Sequence, residues 1–307
     1  MKHWIEAARL RTLPLSVSGI ILGSFYAMFQ SFFNWNIVVF SLLTTLGLQV
    51  LSNFANDYGD GIKGTDNEDR IGPKRAIQKG VISPKQMKKA IILTSLATLF
   101  FAVLLIYFAF KGSYLLYSLV FFFLGILAIV SAIAYTIGKK AYGYHGYGDF
   151  FVFIFFGLVS TLGVYFMFSK LLDGLLFLPA IAIGFLSVGV LNLNNMRDEL
   201  SDRKSDKNTM VVKNGGSWAK KYHYFLVVAA MSLVLVFAIL MQFKLEQYLF
   251  VIAYYPLIVH LVRLSKNENP RLIDPELKKL ALSTFLMSIL LGFCLINLIP
   301  DLFVNFL

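Results

Sequence analysis

Cysteine and charge are both scarce in this sequence. A single cysteine, Cys294, lies in an apolar run, so the chain has no disulfide framework, and no Cys and His spacing typical of a zinc site occurs. Charged residues make up 15% of the 307 positions, apolar residues make up 58%, and the mean hydropathy is +0.71. These values exclude a soluble globular domain and indicate a polytopic membrane protein.

Acidic residues are fewer than basic ones, 17 against 28, which gives a formal net charge of +11. Binding to nucleic acid would need these basic residues on a soluble face, whereas here they lie in short segments between apolar runs. We therefore expect no nucleic-acid partner and attribute the basic residues to membrane topology. The first apolar run is too long for the apolar region of a signal peptide, so we interpret it as a retained span.

Nine apolar runs are long enough to cross about 30 Å of hydrocarbon. They lie at 13–31, 37–56, 88–110, 114–136, 149–169, 174–194, 222–242, 247–264 and 280–299. Every Lys and Arg except Lys111, Lys170 and Lys244 falls on the same side as the N-terminus, and by the positive-inside rule this side faces the cytoplasm of a bacterial inner membrane. We expect an all-α polytopic membrane protein in the lipid bilayer, with nine transmembrane helices around a central cavity capped by cytoplasmic loops.

Two segments rich in Asp, Lys and Arg follow the second and sixth apolar runs. The first is NFANDYGDGIKGTDNEDRIGPKRAIQKG, from Asn53 to Gly80, and the second is NLNNMRDELSDRKSDKNT, from Asn192 to Thr209. Ionisable groups beside hydrocarbon cost roughly 2.5 kcal/mol or more each unless partners compensate, so these segments indicate a functional site. Their separation by four helices predicts one domain over residues 1–307, with helices 1–4 and 5–8 as pseudo-equivalent halves and a ninth helix added.

The polar residues of both segments are spaced as stripes on helices. In the first segment and the turn before it, side chains separated by three or four positions would face the bundle interior if the second helix continues to about Asp60. They are Gln49, Asn53, Asn56, Asp57 and Asp60. In the second segment the spacing of four gives Asn194, Asp198, Asp202 and Asp206.

Glycine and proline predict where the first of these helices ends. We expect Gly59, Gly61 and Gly64 to break it and to let the following loop fold over the mouth of the bundle. A short helical piece of that loop is predicted after Ser83 and Pro84, where the serine caps the helix and the proline occupies its first turn.

Two carboxylate stripes with interspersed Lys and Arg, at one end of an apolar bundle, fit a Mg²⁺-chelated diphosphate that carries an apolar tail. Mg²⁺ prefers carboxylate and phosphate oxygens, and Lys and Arg bind phosphate oxygens directly. A metal ion that neutralises the charge on a departing diphosphate helps an allylic C–O bond to break. An aromatic-rich interior tolerates the resulting cation. The residues alone do not identify the acceptor.

The segments NDYGDGIKGTDNEDRIGPKRAIQKG and NNMRDELSDRKSDKNTMVVKNG resemble the two aspartate-rich motifs of the UbiA-type intramembrane aromatic prenyltransferases. The opening RLRTLPLSVSGIILG and the nine-helix count extend the resemblance over nearly the whole chain, and the form DGxKGTDxxDRIGPxR is similar to the naphthoate branch. The resemblance implies Mg²⁺-dependent transfer of a polyprenyl chain from polyprenyl diphosphate to 1,4-dihydroxy-2-naphthoate, with loss of CO₂ and diphosphate. The product would be demethylmenaquinone, for menaquinone synthesis.

Other functions remain open from the residues themselves. The same chemistry could act on 4-hydroxybenzoate, homogentisate, haem or a chlorin, and the Asp stripes could instead bind a cation that couples to transport. Transporter sites, however, lie near the membrane midplane at broken helices, whereas these charges gather at one membrane face.

The resemblance also implies roles for individual residues. The implied catalytic residues are Asp57, Asp60, Asp198 and Asp202. The implied Mg²⁺ ligands are Asp57, Asp60, Asp66, Asp198 and Asp202. The implied substrate-binding residues are Asn53, Asn56, Lys63, Arg70, Lys74, Arg75, Asn195 and Lys207. Candidates for further substrate contacts are Arg9, Arg11 and, in the loop KKAYGYHGYGD, Tyr142, Tyr144, His145 and Tyr147.

Overall fold

The computed structural model describes residues 2–9, 12–68 and 70–297, which are mainly helical and contain no strand. Two helices are short, α1 (Lys2–Ala8) and α8 (Met210–Asn214). The long helices are α2 (Leu13–Phe29), α3 (Trp35–Lys63), α4 (Pro84–Phe110), α5 (Leu115–Ala134), α6 (Gly148–Ser169), α7 (Phe177–Lys204), α9 (Gly216–Leu240), α10 (Leu245–Lys266) and α11 (Pro270–Leu295). Arg11 and Asp69 lie outside the described residues.

The long helices confirm the predicted all-α membrane architecture. Within the described part of the chain, eight of them are long and apolar enough to cross a membrane, and α1 with α2 makes a ninth when this bent pair is counted as one span. Each predicted apolar run falls on one of the nine long helices. A large share of the apolar side chains on α4 and α5 is exposed, as expected for surfaces in contact with lipid.

Helix α3 continues well past its apolar run. It begins at the N-cap Asn34, whose side-chain oxygen accepts a hydrogen bond from the amide of Asn36 at 2.9 Å, and it ends at Gly64, whose φ of +75° suits glycine. The predicted continuation to Asp60 is therefore confirmed. The predicted break at Gly59 and Gly61 is wrong, because both glycines lie inside the helix. At Gly59 a side chain would meet Thr136 at 2.6 Å, so this glycine serves close packing rather than a turn.

The predicted short helix after Ser83 is instead the beginning of the membrane span α4. Ser83 caps this helix, since its hydroxyl accepts from the amide of Gln86 and the Gln86 side chain accepts from the amide of Ser83 at 2.9 Å. Pro84 occupies the first turn as predicted. The loop between α3 and α4 thus covers only residues 64–83, and it is tied directly to two spans.

Small residues bring α6 close to its neighbours. The middle of α6, Phe153–Gly163, is a π-helix, a widened form that is rare and commonly found at functional sites. A Cβ atom at Gly157 would lie 2.6 Å from the Cα of Gly184 on α7. On the α2 side, a Cβ atom at Gly23 would lie 2.5 Å from the carbonyl oxygen of Thr161. Glycine therefore allows close backbone contact between these helices, as is common in membrane bundles.

The Gly157→Ala variant tests this packing. The added methyl group meets the backbone of α7, so we expect a loss of roughly 1–3 kcal/mol of stability and a thermal denaturation midpoint lowered by several degrees in detergent. Gly174→Ala is the matched control, because a Cβ atom there meets nothing within 4 Å. Equal midpoints for the two variants would contradict the packing described here.

Candidate active site

The end of α3 carries a stripe of polar side chains that faces a cavity inside the bundle. Gln49, Asn53, Asn56 and Asp60 line this cavity, at spacings of three and four that place them on one helix face. Asp57 lies at the edge of this stripe, about 100° around the helix from Asn56, and points instead into the following loop. Its two oxygens accept hydrogen bonds from the backbone amides of Ala76 and Ile77 at 3.0 and 3.1 Å. Asp57 therefore orders the loop that closes over the site.

Asp60 is fully buried and has three partners from three different loops. Its carboxylate accepts from Arg75 at 2.6 Å and from the hydroxyl of Tyr144 at 2.7 Å, and the ammonium of Lys207 lies 3.8 Å away. Tyr144 also bonds to the hydroxyl of Thr65 at 2.6 Å. One carboxylate thus joins the loop after α3, the loop between α5 and α6, and the loop after α7.

The second Asp-rich segment forms the last turns of α7. Asp198 pairs with Arg197 through two bonds of 2.9 and 2.6 Å, and Arg197 also donates to Asn194 at 2.8 Å and to Asp274 at the start of α11. One turn later, Asp202 lies 3.5 Å from the ammonium of Lys207. This segment therefore continues the charged layer begun by α3.

The two segments are joined by alternating acids and bases. Arg70 lies 3.9 Å from Asp198 and 3.2 Å from Asp66, and Arg75 lies 3.1 Å from Asp66 and 2.6 Å from Asp60. Lys207 then links Asp60 to Asp202. We call this series the charge chain, and its members in order are Asp198, Arg70, Asp66, Arg75, Asp60, Lys207 and Asp202. All their side chains are at most 8% exposed.

Because the members of the charge chain are buried, the pKa of each depends strongly on its charged neighbours. Burial alone would lower the pKa of Lys207, but the carboxylates of Asp60 and Asp202 outweigh it and raise that pKa above the usual range. Burial would likewise lower the pKa of Arg75, but the carboxylates of Asp60 and Asp66 raise it. Burial raises the pKa of Asp66, although Arg75 and Arg70 oppose the shift. Both bases consequently stay charged at neutral pH, and both lie at the cavity.

The cavity below the charge chain has a volume of about 360 Å³. Its charged end contains Asp60, Arg75, Lys207 and Arg9, and Asn194 of α7 adds an amide there. Away from this end the lining is mainly apolar and aromatic. It includes Leu15, Ile20, Leu105, Phe121, Phe155 and Phe156. The shape combines a cationic head with an apolar tail, as a lipid diphosphate requires.

The predicted substrate-binding residues divide into two groups. Asn53, Asn56, Arg75 and Lys207 line the cavity, and Arg70 belongs to the charge chain above it. Three predicted residues lie elsewhere. Lys63 is exposed and packs over the ring of Tyr144 at 4.0 Å, Lys74 is exposed beside a separate hollow near Asp57, and Asn195 is buried away from the cavity.

The structure places Asn194, rather than Asn195, at the cavity. Asn195 was predicted to bind substrate, but the preceding residue, Asn194, lines the cavity. The reason is the helical period: Asn194 continues the row of Ser187, Val190 and Leu191 that lines the cavity, whereas Asn195 is rotated by about 100° from Asn194. The stripe of residues spaced by four already contained Asn194.

Sequence reasoning missed several partners in the site. Arg197 was not assigned a role, although it holds Asp198 through two bonds. Tyr135, which lines the cavity, was not assigned a role either. Of the candidate tyrosines, Tyr142 lines the cavity and Tyr144 contacts the charge chain, whereas Tyr147 is exposed. A signal was present for Arg197, because it precedes Asp198 in the second segment. No comparable signal connects Tyr144 to Asp60, which lies 84 residues away.

The donor atoms of the site fit Mg²⁺ in type. Within the described residues, no group of three or more His, Cys, Asp or Glu side chains is arranged to hold a metal ion. The carboxylates of the charge chain are separated from one another by Arg70, Arg75 and Lys207. Two buried oxygens of the site have no hydrogen-bond donor: Oδ1 of Asn56, which lines the cavity, and Oδ2 of Asp202, which lies beside Lys207. Oxygen atoms of this kind are what Mg²⁺ and its water ligands bind.

The fold and this site define the class of protein. The chain belongs to the UbiA prenyltransferase family, which it matches over residues 16–290. It is similar to the 1,4-dihydroxy-2-naphthoate octaprenyltransferase of Haemophilus influenzae, with 43% identity over 293 residues and 94% of each chain covered. The Escherichia coli protein of the same name is 39% identical over 288 residues, covering 94% of this chain and 92% of that relative.

Solved structures support the same fold. A UbiA homolog from Archaeoglobus fulgidus, bound to DMAPP and Mg²⁺, has a TM-score of 0.62 with 16% identity, and covers 96% of this chain and 99% of its own. A UbiA homolog from Aeropyrum pernix has a TM-score of 0.65, also with 16% identity, and covers 95% and 98%. The resemblance drawn from the two motifs is confirmed at the level of family and fold.

Tyr144→Phe tests the contact between the central loop and Asp60. The variant removes a buried hydrogen bond to a charged group while Arg75 still pairs with Asp60, so we expect kcat/KM for the prenyl diphosphate to fall roughly tenfold with the fold intact. Most of the change should appear in KM, because the role of Tyr144 is to position the site. Tyr147→Phe, in the same loop but 61% exposed, is the control. Equal kinetics for the two variants would exclude this role.

Proposed function

We propose that the chain transfers a polyprenyl group from polyprenyl diphosphate to 1,4-dihydroxy-2-naphthoate, with release of diphosphate and CO₂. The observation that carries this proposal is the charge chain at the head of an apolar cavity, in a chain 43% identical to a protein with that activity in its name. The surplus of Lys and Arg on the Asp-rich side supports placing that side in the cytoplasm of a bacterial inner membrane. The two Asp-rich halves would then form one site in a single domain.

The diphosphate would bind at the charged end of the cavity. Arg75 and Lys207 are buried there, and both keep their charge. Each base already has carboxylate partners. The incoming phosphate oxygens would take the place of these carboxylates or bind beside them, so no buried charge would be left unpaired. Arg70, which bridges the two Asp-rich segments, is the third candidate donor.

Mg²⁺ would enter with the diphosphate. Asp60 lines the cavity and is the ligand best placed there, and Asp202 lies behind it, 3.5 Å from Lys207. Asp66 and Asp198 follow along the charge chain. Asn56 offers an amide oxygen without a hydrogen bond. Asp57, which the sequence predicted as a ligand, remains a proposed ligand, although its two oxygens accept hydrogen bonds from the amides of Ala76 and Ile77. When bound, Mg²⁺ supplies positive charge that stabilises the departing diphosphate.

The chain itself would protect and orient the reacting carbon. The apolar lining below the charged end excludes water from an allylic cation, and Tyr135, Tyr142 and Phe155 surround the region with aromatic groups that stabilise such a cation. Arg9 lines the same end and carries the charge needed to hold the carboxylate of a naphthoate acceptor.

The transfer balances without any further reactant. The C–O bond between the prenyl group and the diphosphate breaks, and the electron pair leaves with the diphosphate. The ring carbon that carries the carboxylate forms the new C–C bond, and the pair from the departing CO₂ restores the aromatic ring. The immediate product is the quinol, which is the reduced form of demethylmenaquinone.

Product analysis tests this proposal. Purified protein in detergent would receive octaprenyl diphosphate with 1,4-dihydroxy-2-naphthoate, 4-hydroxybenzoate or homogentisate, in Mg²⁺ and in EDTA, with products identified by mass spectrometry. We expect demethylmenaquinol from the naphthoate alone, and only with Mg²⁺. Prenylation of another acceptor instead would overturn the proposed substrate. Absence of any product, with cation flux in proteoliposomes, would favour the transporter.

Substitution of two carboxylates provides the residue-level test. Asp60→Asn and Asp202→Asn remove one negative charge each with little change of shape, and we expect turnover to fall at least about a hundredfold. Asp206→Asn is the matched control, because Asp206 is exposed beyond α7 with a φ of +53°, which asparagine tolerates. Near-normal turnover in either of the first two variants would contradict the assignment.

A further inference from the structure

The cavity extends far below its charged end. Its lining residues on α3 run from Asp60 to Ser41, which spans roughly 28 Å at the helical rise of about 1.5 Å per residue. The deep end lies among α4, α5 and α6, where Phe121, Leu105 and Met167 line it. The ring of Phe121 packs there against Phe110 and Phe166 with centroids 5.6 Å apart in both cases. A prenyl tail held by its diphosphate would reach this end only if it is long.

Two glycines line the deep part of the cavity, Gly125 on α5 and Gly163 at the end of the π-helical stretch of α6. A Cβ atom at Gly163 would lie 3.7 Å from both Phe121 and Val159, and one at Gly125 would lie 3.8 Å from Ala102. These are ordinary contact distances. Neither glycine has a positive φ.

Packing and backbone conformation therefore leave both glycines unexplained. Gly157 and Gly23 differ, because a Cβ atom at either would lie within 2.6 Å of neighbouring backbone. Glycine weakens a helix that it does not help to pack, since it leaves the unfolded chain more freedom. What Gly125 and Gly163 provide is empty space inside the cavity, at the depth that only a long tail reaches.

We propose that Gly125 and Gly163 determine the longest prenyl chain that the enzyme accepts. The proposal rests on the proposed function, and it adds the structural basis of selectivity for long prenyl diphosphates. Side chains at these positions would fill the deep part of the cavity and leave the charge chain unchanged. A long tail would then be excluded, whereas a tail of two isoprene units would bind as before.

Competition between two donors tests the proposal. Gly163→Ala, Gly163→Leu and Gly125→Leu would each be given octaprenyl and geranyl diphosphate with the same acceptor, and kcat/KM measured for both. We expect the octaprenyl-to-geranyl ratio to fall by at least about tenfold in the leucine variants and by less in Gly163→Ala, with geranyl transfer within about twofold of wild type. Leu127→Phe, which adds bulk to α5 at a side chain 52% exposed, should leave the ratio unchanged.

The outcomes separate this inference from the proposed function. An unchanged ratio in the variants, or equal loss with both donors in Gly163→Ala, would overturn the role of the glycines while the wild-type activity stands. No product from the wild-type protein with either donor would overturn the proposed function, and the glycine assignment with it.

Discussion

The compensation of buried charge constrains the whole loop end of this protein. Five aspartates of the two Asp-rich segments are buried, and unpaired buried carboxylates are costly. They are Asp57, Asp60, Asp66, Asp198 and Asp202. Arg70, Arg75 and Lys207 lie between them, so each carboxylate of the charge chain has a cationic neighbour. Because the bases come from loops and the acids largely from the ends of α3 and α7, the same contacts fold the loops over the cavity. Loop structure and site chemistry therefore depend on one set of ion pairs.

The bundle below the charge chain uses glycine in two different ways. Gly23 and Gly157 let α2, α6 and α7 approach so closely that backbone atoms meet. Gly125 on α5 and Gly163 on α6 line the deep part of the cavity instead. The close contacts bring the helices around the cavity together, and the absence of side chains at Gly125 and Gly163 gives the cavity its depth. A site for a long apolar tail needs both properties.

Hydropathy and motif spacing predicted the nine long helices and the continuation of α3 to Asp60. These features depend on local periodicity, which the sequence displays directly. The orientation of Asp57 and the position of Asn194 rather than Asn195 at the cavity depend on the rotation of about 100° per residue along a helix. The motifs show which residues are present but not which way each side chain points. The bond from Tyr144 to Asp60 joins loops 84 residues apart and depends on tertiary packing alone. Gly59 was misread because glycine in a helix serves close packing as readily as a turn.

The central claim is that bases occupy the spaces between the carboxylates until diphosphate and Mg²⁺ arrive together. Isothermal titration of the purified protein with Mg²⁺, in the absence and presence of inorganic diphosphate, tests it most directly. The account predicts no saturable Mg²⁺ binding at millimolar concentrations without diphosphate and clear binding with it, since the described residues form no ready-made metal cluster. Saturable binding of Mg²⁺ alone, with an affinity that diphosphate leaves unchanged, would contradict it.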